Sequence, residues 1–170
     1  MSAILFVCTG NLCRSPLAEG LFRAGAVRLP GVWSIDSAGI HALDGQPPAP
    51  PAVAEAARHG VDIAALRARH FTPADFARFD CIVAMDRGHL DYLATLAPTT
   101  WSGRLGLLVD RRGKPFEVPD PYGRTVWAYR RAGRLIAQGI AVLLDELGGT
   151  GKAGWPAAGP SRPPFSGRDR

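Results

Sequence analysis

The apolar positions of this chain repeat at two different periods. Ala3-Ile4-Leu5-Phe6-Val7-Cys8 is a continuous apolar run that stops at Thr9-Gly10, which suits a strand buried on both faces. Leu17, Ala18, Leu21, Phe22, Gly25 and Leu29 then share one stripe. That stripe predicts a helix from about Ser15-Pro16, with Ser15 as its cap and Pro16 in its first turn. Val32 to Ser37 reads as a second strand, and "AGIHALDGQPPAPP" as a loop rich in Gly and Pro. Ala52 to His59 is helical with Gly60 as its stop, and Thr72-Pro73 opens a short helix with Thr72 as cap. Cys81 to Ala84 is a third strand, followed by a helix from about Asp86 to Leu96, and Leu105 to Val109 a fourth strand. Val126, Tyr129, Gly133, Ile136, Ile140, Leu143 and Leu147 lay a long last helix on the core.

Strands alternating with helices predict an α/β fold, a three-layer sandwich in which a four-stranded parallel sheet carries helices on both faces. Ligands of such sheets bind beyond the carboxyl ends of the strands. The turn after the first strand therefore comes first in any search for chemistry. Residues 1–147 read as one domain, and residues 148–170, rich in Gly, Pro and small residues without a period, read as a disordered tail.

Composition narrows the function classes. No apolar run is long enough to span a bilayer, so membrane insertion is not expected. The formal charge is +5, but Lys152, Arg162, Arg168 and Arg170 against Asp169 place much of it after Leu147. No aromatic residues interleave with a basic strand, so nucleic acid is not an expected partner. Three cysteines, Cys8, Cys13 and Cys81, cannot all pair within one chain, which points to a reducing cytoplasm. His41, His59, His70 and His89 lack metal-ligand spacing and read as surface or loop residues, and no nucleotide fingerprint occurs. Neither a metal nor another cofactor is expected.

The first turn reads "VCTGNLCRSP". Thr9, Gly10, Asn11, Leu12 and Cys13 can curl so that their amides converge on one point, joined by the positive end of the helix that follows. Such a cradle suits phosphate or another tetrahedral oxyanion. Arg14 supplies a planar fork for two of its oxygens, and Gly10 and Asn11 are residue types that accept a positive φ. The same field favours a thiolate at Cys8, and Ser15 can donate a hydrogen bond to it. Cys13, in the same loop, is either a buried filler or a thiol near enough to trap an oxidised Cys8 as a disulfide. Asp120, between Pro119 and Pro121, is presented by a restricted backbone. Taken alone it reads as a cap of the last helix or as a proton donor.

Cys-x5-Arg-Ser in the context N-L-C-R-S-P, together with "SAGI" at Ser37, "AMD" at Ala84 to Asp86 and "DPY" at Asp120, resembles the low-molecular-weight protein tyrosine phosphatases over residues 3–147. The resemblance implies a phosphocysteine on Cys8, with Arg14 and the 9–14 amides holding the phosphoryl oxygens. It implies Asp120 as general acid and then base, Ser37 supporting the loop through Asn11, and a structural part for Asp86. Leu12, Leu43 and Tyr122 would line the substrate cleft, with Leu43 where animal members have an aromatic wall. "SAGIHALDGQ", "RGHLDYLATLAP" and "DPYGRT" look most like bacterial members that act beside autophosphorylating tyrosine kinases in capsule and exopolysaccharide export. Phosphotyrosine proteins, among them such a kinase, are the partners implied.

Two features depart from the family pattern. Leu66 stands where many relatives carry a histidine, which puts the hydrogen-bond network around Ser15 in question, and a single tyrosine follows Asp120-Pro121. Thioredoxin-coupled arsenate reduction needs two further cysteines, and only Cys81 is left. Protein arginine phosphatases tend to carry threonine where this chain has Leu12, whose apolar side chain suits an aryl ester. A catalytically inactive phosphopeptide-binding module has no support in a chain that keeps Cys8, Arg14, Ser15 and Asp120.

Overall fold

Every residue of β1 (Ser2–Cys8) after the first is buried, and its side chains alternate between two cores. Ile4, Phe6 and Cys8 enter one; Ala3, Leu5 and Val7 enter the other. This two-sided burial is why the strand is an unbroken apolar run rather than an alternating one. The computed structural model describes residues 2–149. In it β1 pairs in parallel with β2 (Trp33–Gly39) on one side and β3 (Cys81–Ala84) on the other. β4 (Arg104–Leu107) lies outside β3, giving the order β2-β1-β3-β4. The chain changes direction across the sheet between β1 and β3. Crevices for ligands open at such a switch point, beyond the strand ends.

On one face α1 (Arg14–Ala26), α2 (Pro50–Arg58) and α5 (Val126–Leu147) pack with Leu17, Phe22, Ala56, Ile136, Ile140 and Leu143 in a common cluster. On the other face lie α3 (Asp75–Arg78) and α4 (Arg87–Leu96), with Phe71, Phe76, Phe79 and Leu93. The layers and parallel sheet are those the sequence predicts. The expected tail concerns residues that, from 150 on, lie outside the described part; Gly148 caps α5.

Local differences have local causes. α1 begins at Arg14 after Cys13, with no side-chain cap, because the Ser15 hydroxyl is turned back into the loop before it. At α3 the roles are reversed from expectation: the Asp75 carboxylate accepts from the Thr72 N–H at 2.9 Å, and the Thr72 hydroxyl caps nothing. β4 ends at Leu107 because the chain folds back at Asp110, whose side chain accepts from the N–H groups of Arg112 and Lys114. The cap of α5 is Thr125, which accepts from the Ala128 N–H. Asp120 therefore caps no helix.

β2 ends on Gly39, directly beside the loop that leaves β1. A Cβ placed there would lie 2.5 Å from the Thr9 carbonyl oxygen and 2.9 Å from the Asn11 nitrogen. Both are backbone atoms, so neither can swing aside. Gly39→Ala should cost about 2 kcal/mol, in the range of overpacking changes. The check is urea unfolding, with a lower midpoint and an unchanged slope; an unaltered midpoint would show that the loop is not pressed against β2.

Candidate active site

The turn after β1 is shaped by what its carbonyls do. Cys8 O accepts from Ile40 N at 3.0 Å, Thr9 O from His41 N at 2.9 Å and Leu12 O from Ala49 N at 2.9 Å. In a planar trans peptide the N–H points opposite to the C=O, so the N–H groups of Thr9, Gly10 and Cys13 face the inside of the loop. Among the described residues none of them donates to a protein acceptor. Asn11, with φ 56°, makes the left-handed turn that closes the ring. Gly10, expected to share that task, does not have a positive φ, and a Cβ on it would meet only the Leu12 side chain at 3.7 Å. One residue in the left-handed region is enough to bend this loop.

Asn11 is also its tie. Its Nδ2 donates to Ser15 Oγ at 2.8 Å and Ser37 Oγ at 2.9 Å, and its Oδ1 accepts from Arg69 N at 3.0 Å. Ser37 passes its own proton to Glu19 Oε2 at 2.6 Å, and Glu19 Oε1 accepts from Arg23 at 2.7 Å. Ser15 already accepts from Asn11, so its hydroxyl proton is directed to Cys8 Sγ at 3.0 Å or Ala38 O at 3.3 Å. Leu66 packs half-buried against the core and takes no part; the Arg69 main chain supplies the outer support instead. Glu19 and Arg69 were not among the sequence candidates. The signal for Glu19 was its spacing, since Ser15, Glu19 and Arg23 succeed each other by four along one face of α1.

Arg14 is buried, and its Nη1 donates to Asp86 Oδ2 and Val118 O, each at 2.9 Å. One edge of the guanidinium is thus locked. Nη2 lies 3.4 Å from Thr9 Oγ1 and 3.5 Å from Asp120 Oδ2. Asp86 also caps α4, accepting from His89 N through Oδ1. A residue that reads in sequence as a helix cap thus both starts a helix and anchors the arginine. Asp120 is half exposed, at the mouth, and its Oδ1 accepts from Tyr122 N at 3.2 Å. Tyr122 and Leu43 are exposed at 62% and 70%, on separate loops, and Leu12 is half-buried against the core.

The remaining thiols and histidine differ from Cys8 in their surroundings. Cys13 is buried with Sγ 3.4 Å from the Tyr129 hydroxyl, and burial pushes its thiol up to about 11. Burial, with Cys13 adding to it, holds the Tyr129 hydroxyl well above the ordinary phenol range. Cys81 is buried in β3 and likewise pushed up to about 11 by burial. His89, expected at the surface or in a loop, is buried on α4 with Nε2 2.8 Å from Thr9 Oγ1. It packs there because α4 starts beside Arg14, held by the Asp86 that both share. His41 and His70 are exposed, and His59 pairs with Glu55 on α2.

The result is a loop of inward amides next to a buried thiol, with a hydroxyl 3.0 Å from the sulfur, a buried arginine locked along one edge and a half-exposed carboxylate 3.5 Å from that arginine. That arrangement can hold a tetrahedral oxyanion beside a sulfur nucleophile, with a carboxyl group close by to move a proton.

Comparison with known proteins agrees with this chemistry. The family model described as low molecular weight phosphotyrosine protein phosphatase matches residues 3–153. The probable low molecular weight protein-tyrosine-phosphatase EpsP of Ralstonia nicotianae is 36% identical over 149 residues, 86% of this chain and 97% of its own. The tyrosine phosphatase Wzb from Escherichia coli K30, solved in complex with sulphate, shares the fold with a TM-score of 0.77 at 29% identity, over 86% of this chain and 99% of that one. The YwlE arginine phosphatase from Geobacillus stearothermophilus gives 0.74 at 29% identity, over 86% and 93%. The chain belongs to the low molecular weight phosphotyrosine protein phosphatases.

Proposed function

We propose that this enzyme hydrolyses phosphotyrosine in proteins through a phosphocysteine on Cys8. The observation that carries the reading is the single constellation of Cys8 Sγ, Ser15 Oγ at 3.0 Å, the inward amides of the 9–13 loop and an Arg14 whose orientation is locked by Asp86 and Val118. Cys8 attacks phosphorus as the thiolate. The three equatorial oxygens lie on the amides and the free edge of Arg14, where charge builds in the transition state. Asp120 gives its proton to the departing phenolate oxygen. In the second step Asp120 takes a proton from water, water attacks phosphorus, and Cys8 leaves as thiolate with Ser15 donating to it.

An aryl ester agrees with the residues at the opening, where half-buried Leu12 and exposed Tyr122 and Leu43 offer apolar and aromatic surface to a phenyl ring. The bacterial relatives named as tyrosine phosphatases support the same substrate class. The biological role that fits is removal of phosphate from an autophosphorylating tyrosine kinase in the cytoplasm of a bacterium that exports polysaccharide. Phosphotyrosine and phosphoarginine peptides assayed side by side test this choice, and preference for phosphoarginine would move the enzyme to the other specificity found among its structural neighbours.

Asp120→Ala should lower kcat on phenyl phosphate by about a hundredfold or more, the ordinary worth of a positioned acid, while inorganic phosphate still inhibits. Equal turnover by that variant would remove Asp120 from the mechanism. Cys8→Ser should abolish turnover entirely, which separates an enzyme from a phosphopeptide-binding module.

Cys13 is assigned here as the resolving thiol for an oxidised Cys8. Peroxide converts Cys8 to a sulfenic acid, and Cys13 displaces water from it to form the disulfide. A thiol held near 11 is protonated at neutral pH, so ring closure should quicken as pH rises toward that value. Peroxide inactivation should be reversible by dithiothreitol in the wild type and become irreversible in Cys13→Ser. Full recovery of the variant would leave Cys13 as a packing residue against Tyr129.

A further inference from the structure

We propose that His89 is a positioning residue of the phosphate site, orienting the Thr9 hydroxyl that lies beside the open edge of the Arg14 guanidinium. The inference rests on the phosphatase reading above. Four side chains close a circuit. His89 Nε2 lies 2.8 Å from Thr9 Oγ1, which lies 3.4 Å from Arg14 Nη2. Arg14 Nη1 donates to Asp86 Oδ2 at 2.9 Å, and Asp86 Oδ1 lies 3.1 Å from His89 Nδ1. His89 is buried, 3% exposed, and its imidazole reaches the first residue after the nucleophile.

The proton positions follow from the neighbours. Nδ1 is off the angle of a hydrogen bond to Asp86, with no other partner. A lone pair there would face a carboxylate oxygen across 3.1 Å, so Nδ1 carries the proton of the neutral ring. Nε2 is then an acceptor, and the Thr9 hydroxyl must donate to it. That leaves the lone pairs of Thr9 Oγ1 for Arg14 Nη2. His89 thus decides which way the Thr9 hydroxyl points, and the hydroxyl decides whether the open edge of Arg14 has an acceptor beside it.

Burial lowers the His89 pKa from its ordinary 6.5, opposed by Asp86 and reinforced by Arg14, with Asp120 a weaker opposing charge. The ring is therefore neutral at neutral pH. Once protonated at acid pH, Nε2 becomes a donor, the Thr9 hydroxyl has to turn away, and a second cation stands beside Arg14. The Thr9 hydroxyl then no longer supports the open edge of Arg14, while Nη1 stays on Asp86 and Val118. Since the folded value lies below the unfolded one, stability is full above 6.5 and is lost as pH falls from 6.5 toward the folded value, because the unfolded chain takes up a proton there that the folded ring does not.

The test uses the full chain with inorganic phosphate as competitive inhibitor of phenyl phosphate hydrolysis. His89→Leu and Thr9→Val should each weaken phosphate about tenfold, the scale of one buried hydrogen bond lost, and the double variant should be no worse than either. The advantage of wild type over His89→Leu should shrink as pH falls below 6.5. Losses that multiply in the double variant, or a ratio independent of pH, overturn the assignment. Should His89→Leu not fold, the advantage of wild type over Thr9→Val in binding phosphate must shrink as pH falls below 6.5, where the protonated ring turns the Thr9 hydroxyl away, and a ratio independent of pH overturns it. Phosphate binding normal in the wild type and indifferent to His89 overturns this inference alone. Wild-type protein that hydrolyses no phosphate ester overturns the reading beneath it, and this inference with it.

Discussion

The structure depends on one residue held in a conformation that side chains disfavour. Asn11 has φ 56°, and its amide makes three hydrogen bonds, two as donor and one as acceptor. The left-handed backbone alone costs roughly 1–2 kcal/mol for an ordinary side chain, and asparagine is among the few that tolerate it. The three bonds offset that cost and connect β1, α1, β2 and the segment before α3. If the loop carrying Asn11 relaxed, the amides beside it would turn and Ser15 would lose the donor that directs its proton toward Cys8 Sγ or Ala38 O.

Around this tie the site divides into a rigid base and an exposed rim. Cys8, Arg14, Ser15 and Ser37 are all buried, each with hydrogen bonds from a different element. Asp120 and Tyr122 sit on an exposed loop, Asp120 between Pro119 and Pro121 and Tyr122 directly after them. A base that must meet a phosphoryl group in one geometry gains from preorganisation. A rim that must admit a protein substrate gains from exposure. Cys13, beneath the same loop, shows how environment separates equivalent residues: surrounded by apolar groups and Tyr129, its thiol is held near 11, while Cys8 faces the amides and Ser15.

The layers of the fold were legible because burial on both faces leaves a plain mark. β1 and β3 are apolar runs, and α5 buries its three-and-four repeat from Tyr129 on, whereas Val126, expected on the core, is exposed in the first turn. Boundaries were less legible where a side chain had two possible uses. Ser15 reads as a cap and contacts Cys8 Sγ and Asn11 instead, and Thr72 gives its N–H while Asp75 gives the oxygen. Short polar side chains bond to whatever backbone or side chain lies nearest, and nearness is set by the neighbours.

The order of elements and the loop that closes on Asn11 were readable from the residues alone, because the period of apolar residues and the spacing Cys8-x5-Arg14 lie within a single turn or helix. Only the tertiary structure decided that Asp86 anchors Arg14 from 72 positions away, that Glu19 and Arg69 extend the tie of Asn11, that Gly39 is the glycine the loop cannot do without, and that His89 is buried beside Thr9. These are meetings between elements whose sequence positions carry no common period. Their energies come from burial and hydrogen bonds that exist only after the sheet has brought β1, β2 and α4 together.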